Sequence, residues 1–221
     1  MPFAIGFVGH HNSGKTTLIV EVAKILLEEG LRLGLLKSSK EEKPHLERPH
    51  ADTSLFWQTG ASKVAFWGQK EGFLRFFVPE KEDFSFWYFV NRFFPEEDLV
   101  LCEGFKSLKS LPKIEVWREG RGEKPLFHTI PGIIAVVSTS SLKAPCPVLP
   151  PDPKRIAVFI KNKIPAKKTQ TSLLIDGKPV GLTRFVSRAL AESIKGFLKS
   201  LRGVKNPRVI ELRVETREDQ S

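Results

Sequence analysis

Only two of the 221 residues are cysteine and one is methionine. Cys102 lies in an apolar run and Cys146 between prolines. Neither belongs to a C-x-x-C pair, which excludes a disulfide framework and a thiolate zinc cluster. Asn and Gln are scarce as well, a composition shared with heat-adapted proteins. No apolar stretch approaches the roughly 20 residues that a membrane span needs. The opening MPFAIGFVG has neither a basic segment nor a small-residue cleavage site, so a cytoplasmic protein without a membrane segment is expected. There is no internal repeat and no low-complexity tract.

Positive charge is abundant: 35 Lys and Arg against 25 Asp and Glu give a formal net charge of +10. This balance suits an anionic partner, such as a nucleotide or an acidic surface, and equally serves solubility. With 41% hydrophobic and 27% charged residues, the chain has the composition of a globular protein with a sizeable core. The patterns of nucleic-acid modules, a recognition helix or interleaved aromatic and basic platforms, are missing, and the many phenylalanines read as core.

Ala4 to Val8 is a short apolar, β-prone run that ends at Gly9. Thr17 to Glu28 shows helical spacing, with Leu18, Val22, Ile25 and Leu26 on one side and Gly30 as its stop. Leu31 to Leu36 reads as a second strand, with Lys37 at its carboxyl end. Strand, glycine turn, helix and strand make a βαβ unit. A polar loop from Ser38 to Asp52 precedes a short helix over Thr53–Gly60. A hairpin follows in GASKVAFWG and GFLRFFVPE, then an aromatic-rich helix over Phe84–Phe94. Asp98 to Cys102 has the near-continuous apolar character of a buried parallel strand and ends at Glu103-Gly104. Lys113–Trp117 and Ile133–Val137 are further strands. Asp152-Pro153 forms an N-cap and N1 pair for a helix to Lys161. The polar NKIPAKKTQ reads as a linker. Beyond it lie a hairpin around Asp176-Gly177, a helix from Thr183 to Leu201 and an alternating strand over Val209–Val214.

The segment GHHNSGKTT carries the chemistry. Gly9, Gly14, Lys15 and Thr16 occupy the fixed positions of G-x-x-x-x-G-K-[ST], with a strand before and a helix after. Glycines let the backbone fold around an anion while successive N–H groups and the helix start point at it. Gly9, His10, His11, Asn12, Ser13, Gly14, Lys15, Thr16 and Thr17 are therefore the expected nucleotide-binding residues. Within them, Lys15 faces the β/γ-phosphates and Thr16 ligates Mg²⁺. His10 and His11 contribute chiefly backbone N–H groups. Glu103, delivered by an apolar strand at its carboxyl end, is expected in the magnesium shell and, with Lys15, in catalysis. Asp52 has two readings: a further acid near the metal, or a cap for the next helix.

Several stretches together resemble one family, the molybdopterin-guanine dinucleotide biosynthesis adaptor proteins (MobB). They are GHHNSGKTTL, GLLK, ERPHADT followed by TGA, LVLCEGFK, PKIEVWR, IIAVVS and PVLPPD, in the family's order over about residues 3–162. The glycine-lysine motif is shared across the P-loop NTPases, whereas the EGFK and PKIEVWR pairing is much more particular. The resemblance implies a GTP- and Mg²⁺-binding adaptor, usually homodimeric, that hydrolyses GTP slowly. Such a protein assists the enzyme that attaches GMP to molybdopterin, with molybdopterin itself a possible ligand. By motif match the nucleotide site falls on Gly9–Thr17, the acidic strand end on Glu103, and the acid of the family's P-G-K-D stretch on Asp52. The chain departs from the family at Ser38-Ser39-Lys40, where a histidine-rich segment is common. It departs again at His50-Ala51, in place of Gly-Lys, and at Ser138-Thr139, in place of Ser-Asp. No N-K-x-D motif reads guanine, so that base rests on the resemblance.

The expected architecture is α/β: a P-loop NTPase-like, mostly parallel sheet flanked by helices over residues 1–162. Residues 163–221 form a linker and a small C-terminal α+β appendage. In the appendage helix, Phe185, Ala189, Leu190, Ile194, Phe197, Leu198 and Leu201 make an apolar stripe. Arg184, Arg188, Lys195, Lys199 and Arg202 share another face. That basic face is either solvated or a dock for a phosphorylated pterin or an acidic partner. The competing function is a small-molecule kinase using the same loop; it would need an arginine-bearing lid, and only Arg48 lies in the long loop.

Overall fold

The computed structural model describes residues 2–39, 52–77, 83–119, 124–165, 171, 173–175, 178–203, 207, 210–212 and 214. The elements in order are β1 (Phe3–Val8), α1 (Lys15–Glu28), β2 (Leu33–Lys37), α2 (Asp52–Gln58), β3 (Lys63–Trp67), β4 (Gly72–Phe76) and α3 (Asp83–Phe93). They continue with β5 (Leu99–Glu103), β6 (Lys113–Val116), a 3-10 turn (Leu126–His128), β7 (Ile133–Val137), β8 (Val148–Leu149) and α4 (Pro153–Lys161). β9 (Leu173–Ile175), β10 (Lys178–Val180) and α5 (Arg184–Lys199) close the series.

Six strands form one parallel sheet in the order β2-β5-β1-β6-β7-β8. The apolar runs of β1 and β5 are buried on both faces, as strands covered by helices on either side must be. On one face α1 and α4 pack Leu18, Val22, Leu26, Ile156 and Ile160 against Ile5, Phe7, Leu101 and Ile114. On the other, Phe86 and Val90 of α3 meet Val100, Cys102 and Leu111. Each fully buried Leu, Ile or Phe contributes about 1.5–3 kcal/mol, so the two layers fix the sheet and the strand ends that border the site.

Local signals set the boundaries. α1 stops at Gly30 (φ +83°), whose N–H donates to the Leu27 carbonyl while that of Leu31 reaches Leu26. α4 starts on the Asp152 side chain, which accepts from the amides of Lys154 and Arg155. α1 begins at Lys15, two residues earlier than periodicity alone indicates, because Gly14 takes up the turn. β2 extends to Lys37 because it pairs with β5 through Glu103. The two-residue β8 and the 3-10 turn lie in stretches without periodicity. Of the expected strand over Val209–Val214, residues 210–212 and 214 carry none. Ile210, Leu212 and Val214 are exposed there, and no strand pairs with them among the described residues; Val209 and Arg213 lie outside those residues.

β6 alternates apolar and charged residues. Ile114 and Val116 enter the α1/α4 layer, whereas Lys113 and Glu115 point to the opposite side and are fully buried. The Lys113 ammonium donates to the carbonyls of Leu108, Leu111 and Pro131, which matches its three N–H groups. Apart from the main sheet, β3 and β4 form a separate antiparallel pair that leaves Trp67, Phe66 and Phe77 exposed. In the C-terminal segment Thr183 caps α5 through Val186 N–H, and β9 pairs with β10. Only Ala191 of α5 is buried, and Phe185 and Phe197 of the expected packed stripe are exposed. The turn Asp176-Gly177 and most of the long loop after β2 lie outside the described residues.

Candidate functional site

The sheet's order brings the carboxyl ends of β5, β1 and β6 side by side. Phe7 is in register with Glu103, and Val8 with Glu115. In open parallel sheets ligands settle at such a place, where neighbouring connections leave in opposite directions. The loop Gly9–Gly14 leaves β1 there and enters α1.

Glycine is required at both ends of this loop. A Cβ on Gly9 would lie 2.4 Å from the Val116 carbonyl oxygen and 2.8 Å from Ser13 Oγ, so only hydrogen fits. Gly14, at φ +90°, is the N-cap of α1 and makes no side-chain cap bond. The first amides of α1 therefore have neither an intrahelical nor a side-chain partner at the cap, and their partial positive charge faces outward. Between the glycines, Asn12 takes a left-handed conformation (φ 57°) and Ser13 is buried, while His11 is exposed. The result is a concave backbone turn lined by N–H groups and suited to an anion.

Lys15 folds back over this turn. Its ammonium donates to the His10 carbonyl at 2.5 Å and to Ser13 Oγ at 3.2 Å. Burial holds the Lys15 pKa below the usual lysine value; the Glu103 carboxylate opposes that shift, and Lys106 and Lys37 add to it. An ammonium so placed gains from a polyanion, which would replace neutral acceptors with charged ones.

Thr16 Oγ1 donates to the Glu103 carboxylate, 3.0 Å from one oxygen and 2.9 Å from the other. Glu103 reaches this position because Gly104 (φ +92°) turns the chain directly after β5, with its N–H donating to the Phe7 carbonyl at 3.0 Å. A hydroxyl beside a carboxylate makes an all-oxygen pair. It fits Mg²⁺, which takes one or two protein oxygens and completes its octahedron with phosphate oxygens and water. Among the described residues no group of three His, Cys, Asp or Glu is placed to hold a metal ion. Asp52, the third expected metal residue, opens the first turn of α2 and is exposed.

Beside the loop lies a cavity of about 160 Å³, bordered by Gly14, Thr17, Trp117, Arg118, Ser138 and Thr139 among others. It extends from the loop toward the ends of β6 and β7. The Arg118 guanidinium lies against Gly14, 2.7 Å from where a Cβ would stand. Sequence reasoning passed over Arg118, and over Glu115, whose carboxylate accepts the amides of Leu126 and Phe127. Burial raises the Glu115 pKa, against the lowering effect of those two hydrogen bonds and of His10 and His128. The signal was present in Lys-Ile-Glu-Val: charges alternating within a strand flanked by other strands must be satisfied inside the protein.

A family model described as molybdopterin guanine dinucleotide synthesis protein B (MobB) matches residues 4–139. The chain is 28% identical over 122 residues to a molybdopterin-guanine dinucleotide biosynthesis adapter protein of Escherichia coli (strain K12), covering 55% of this chain and 69% of that protein. It is 24% identical over 242 residues to a putative adapter of the same name from Methanocaldococcus jannaschii, covering 96% and 97% of the two. Among solved structures, a molybdopterin-guanine biosynthesis protein B superposes with a TM-score of 0.57 at 27% identity, over 73% of this chain and 99% of that one. Bacillus subtilis MobB does so with a TM-score of 0.58 at 23% identity, over 76% and 100%.

Proposed function

The chain belongs to the MobB family, and from that premise we propose that it is a GTP-binding adaptor of molybdopterin guanine dinucleotide biosynthesis with slow intrinsic GTP hydrolysis. The observation that carries the nucleotide site is the uncapped start of α1 behind Gly9–Gly14, with Lys15 over it and the Thr16–Glu103 pair beside it. In this reading the amides of Gly9–Thr17 hold the β- and γ-phosphates and Lys15 neutralises their charge. Thr16 and Glu103 hold Mg²⁺, directly or through water, with Asp52 a further acid on the loop side. A metal there polarises the phosphoryl oxygens; the rest is the protein's positioning of the chain of phosphates. Guanine follows from the family, and in this reading it enters the cavity bordered by Trp117, Ser138 and Thr139.

The partner in this reading is the cytoplasmic enzyme that attaches GMP to molybdopterin, with molybdopterin as a possible further ligand. No described helix is long and apolar enough to cross a membrane. Self-association into a homodimer is supported by the β3–β4 hairpin. This pair packs Phe76 on Phe89 and Phe93 of α3 and leaves Trp67 95% exposed at its turn end, an apolar group that a second copy would cover. Residues 1–162 form the nucleotide-binding part and 163–221 a linker with an appended unit. The solved relatives, each matched over nearly its whole length, leave about a quarter of this chain outside the alignment.

The test is reconstitution with the GMP-attaching enzyme, molybdopterin and GTP. The yield or rate of dinucleotide cofactor rises when this protein is added and does not rise with Lys15→Ala. An unchanged yield overturns the adaptor reading, and a phosphorylated small-molecule product would replace it with a kinase.

A further inference from the structure

We propose that Glu115 is a positioning residue of the Gly9–Gly14 loop, acting through the 124–128 segment and the His10 ring; the proposal rests on reading that loop as the nucleotide site. Glu115 stands in register with Val8, the last residue of β1 before the loop. Its side chain is fully buried. One carboxylate oxygen accepts the Leu126 amide at 2.6 Å and the other accepts the Phe127 amide at 3.0 Å. These are the first two N–H groups of the 3-10 turn, whose N-cap Pro125 offers no side-chain bond. Glu115 thus does for this turn what a capping side chain does for a helix, but from the centre of the sheet.

Two residues before the turn, the Lys124 carbonyl faces His10 Nε2 at 3.0 Å. A carbonyl only accepts, so the His10 ring carries its proton on Nε2 and donates it. His10 in turn gives its own carbonyl to the Lys15 ammonium at 2.5 Å. Direct contacts therefore run from a strand core to the first residue after Gly9 and on to the lysine that would meet the phosphates. The anchoring end is held on both sides by β1 and β7, whereas the Lys124–His10 end is exposed. A carboxylate is a costly filling for such a strand unless its oxygens are fully used. Here both are used to place the first two residues of the 3-10 turn.

Glu115→Gln keeps the volume and replaces one accepting oxygen by an NH₂ group, which cannot receive an amide. A double-mutant cycle with His10→Ala, read as the Kd for GTP with magnesium, tests the relay. Each single substitution weakens GTP roughly three- to tenfold, the effect of one lost hydrogen bond. The double variant is no weaker than the weaker single one, because either change breaks the same chain. Backbone hydrogen exchange in the nucleotide-free protein supplies an independent reading: residues 10–14 exchange faster in Glu115→Gln than in the wild type. Additive losses in the cycle, or wild-type exchange at residues 10–14, overturn the proposal. If the wild type binds no GTP, the nucleotide reading falls and the exchange comparison still decides the relay. Glu115→Asp, which keeps the charge and shortens the reach, takes the place of Glu115→Gln in both measurements should the latter not fold.

Discussion

Gly9→Ala is the sharpest perturbation of the site, because the obstacle its methyl group meets is backbone. The new carbon would stand 2.4 Å from the Val116 carbonyl oxygen at the end of β6 and 2.8 Å from Ser13 Oγ. Ser13 can rotate, although it is buried. Val116 cannot, since it is held in the sheet against Val137 and its neighbours. Relief must come from moving the loop away from β6 by several tenths of an ångström or more. Forcing a methyl group into packed surroundings costs about 1–3 kcal/mol. For a chain of this size each kcal/mol lowers the melting temperature by about 2–4 °C, so the unliganded variant should melt about 2–12 °C below the wild type. The displaced loop also turns its amides off the phosphates. GTP at a hundred times its Kd should stabilise the wild type by about 2.7 kcal/mol, a rise of roughly 5–11 °C, and the variant should show little of it. Thermal unfolding with and without GTP and magnesium measures both effects. A variant that melts with the wild type and keeps the full GTP shift refutes the account of the loop.

Lys15 makes triphosphate binding alkaline-sensitive. Its pKa is lowered in the free protein, chiefly by burial, and a bound polyanion favours the charged ammonium. Binding therefore takes up a proton wherever free Lys15 has lost one. Affinity for inorganic triphosphate, followed by calorimetry, should be level near neutrality and fall as pH rises through the lowered value; a level profile to pH 10.5 contradicts this. Glu103→Gln should leave magnesium-free nucleotide binding nearly intact and cut the gain on adding Mg²⁺ by about 10- to 100-fold, the worth of a hydrogen bond to a charged group. Equal magnesium gains in the two proteins would remove Glu103 from the metal shell. Burial pushes the Cys102 thiol up to about 12 and also raises that of Cys146. A maleimide at neutral pH should label the folded protein slowly and at Cys146 alone, with Cys102 reacting only on unfolding; mass spectrometry of the digest reads this out.

The fold's centre was legible because its signals are local. Gly9, Gly14 and Gly30 punctuate the first βαβ unit, the apolar run Leu99–Cys102 announces a strand covered on both faces, and Asp152-Pro153 marks a helix start. The motif positions of Gly9–Thr17 and the acid at the end of β5 were legible for the same reason. Tertiary satisfaction was not legible. Nothing near Glu115 in the sequence tells that its partners are the amides of Leu126 and Phe127, eleven and twelve residues on. Nor does Arg118 declare that it will lie on Gly14, because the contact depends on how β6 leaves the sheet beside the loop. The alternation over Val209–Val214 shows what period two leaves out: it describes a strand only where an edge receives it, and among the described residues Ile210, Leu212 and Val214 pair with none.

The paired charges of β6 have a consequence for how the sheet assembles. Parallel sheets of interchangeable aliphatic strands admit neighbouring alignments of similar energy, and sliding by one position exchanges the two faces. Were β6 to slide so, the ammonium of Lys113 and the carboxylate of Glu115 would enter the aliphatic layer among Leu18, Val22 and Ile156, with no carbonyls or amides to receive them. A mispaired intermediate is thereby made too unfavourable to persist, and the strand beside β1 arrives in one alignment, the one that sets the Val116 carbonyl against Gly9.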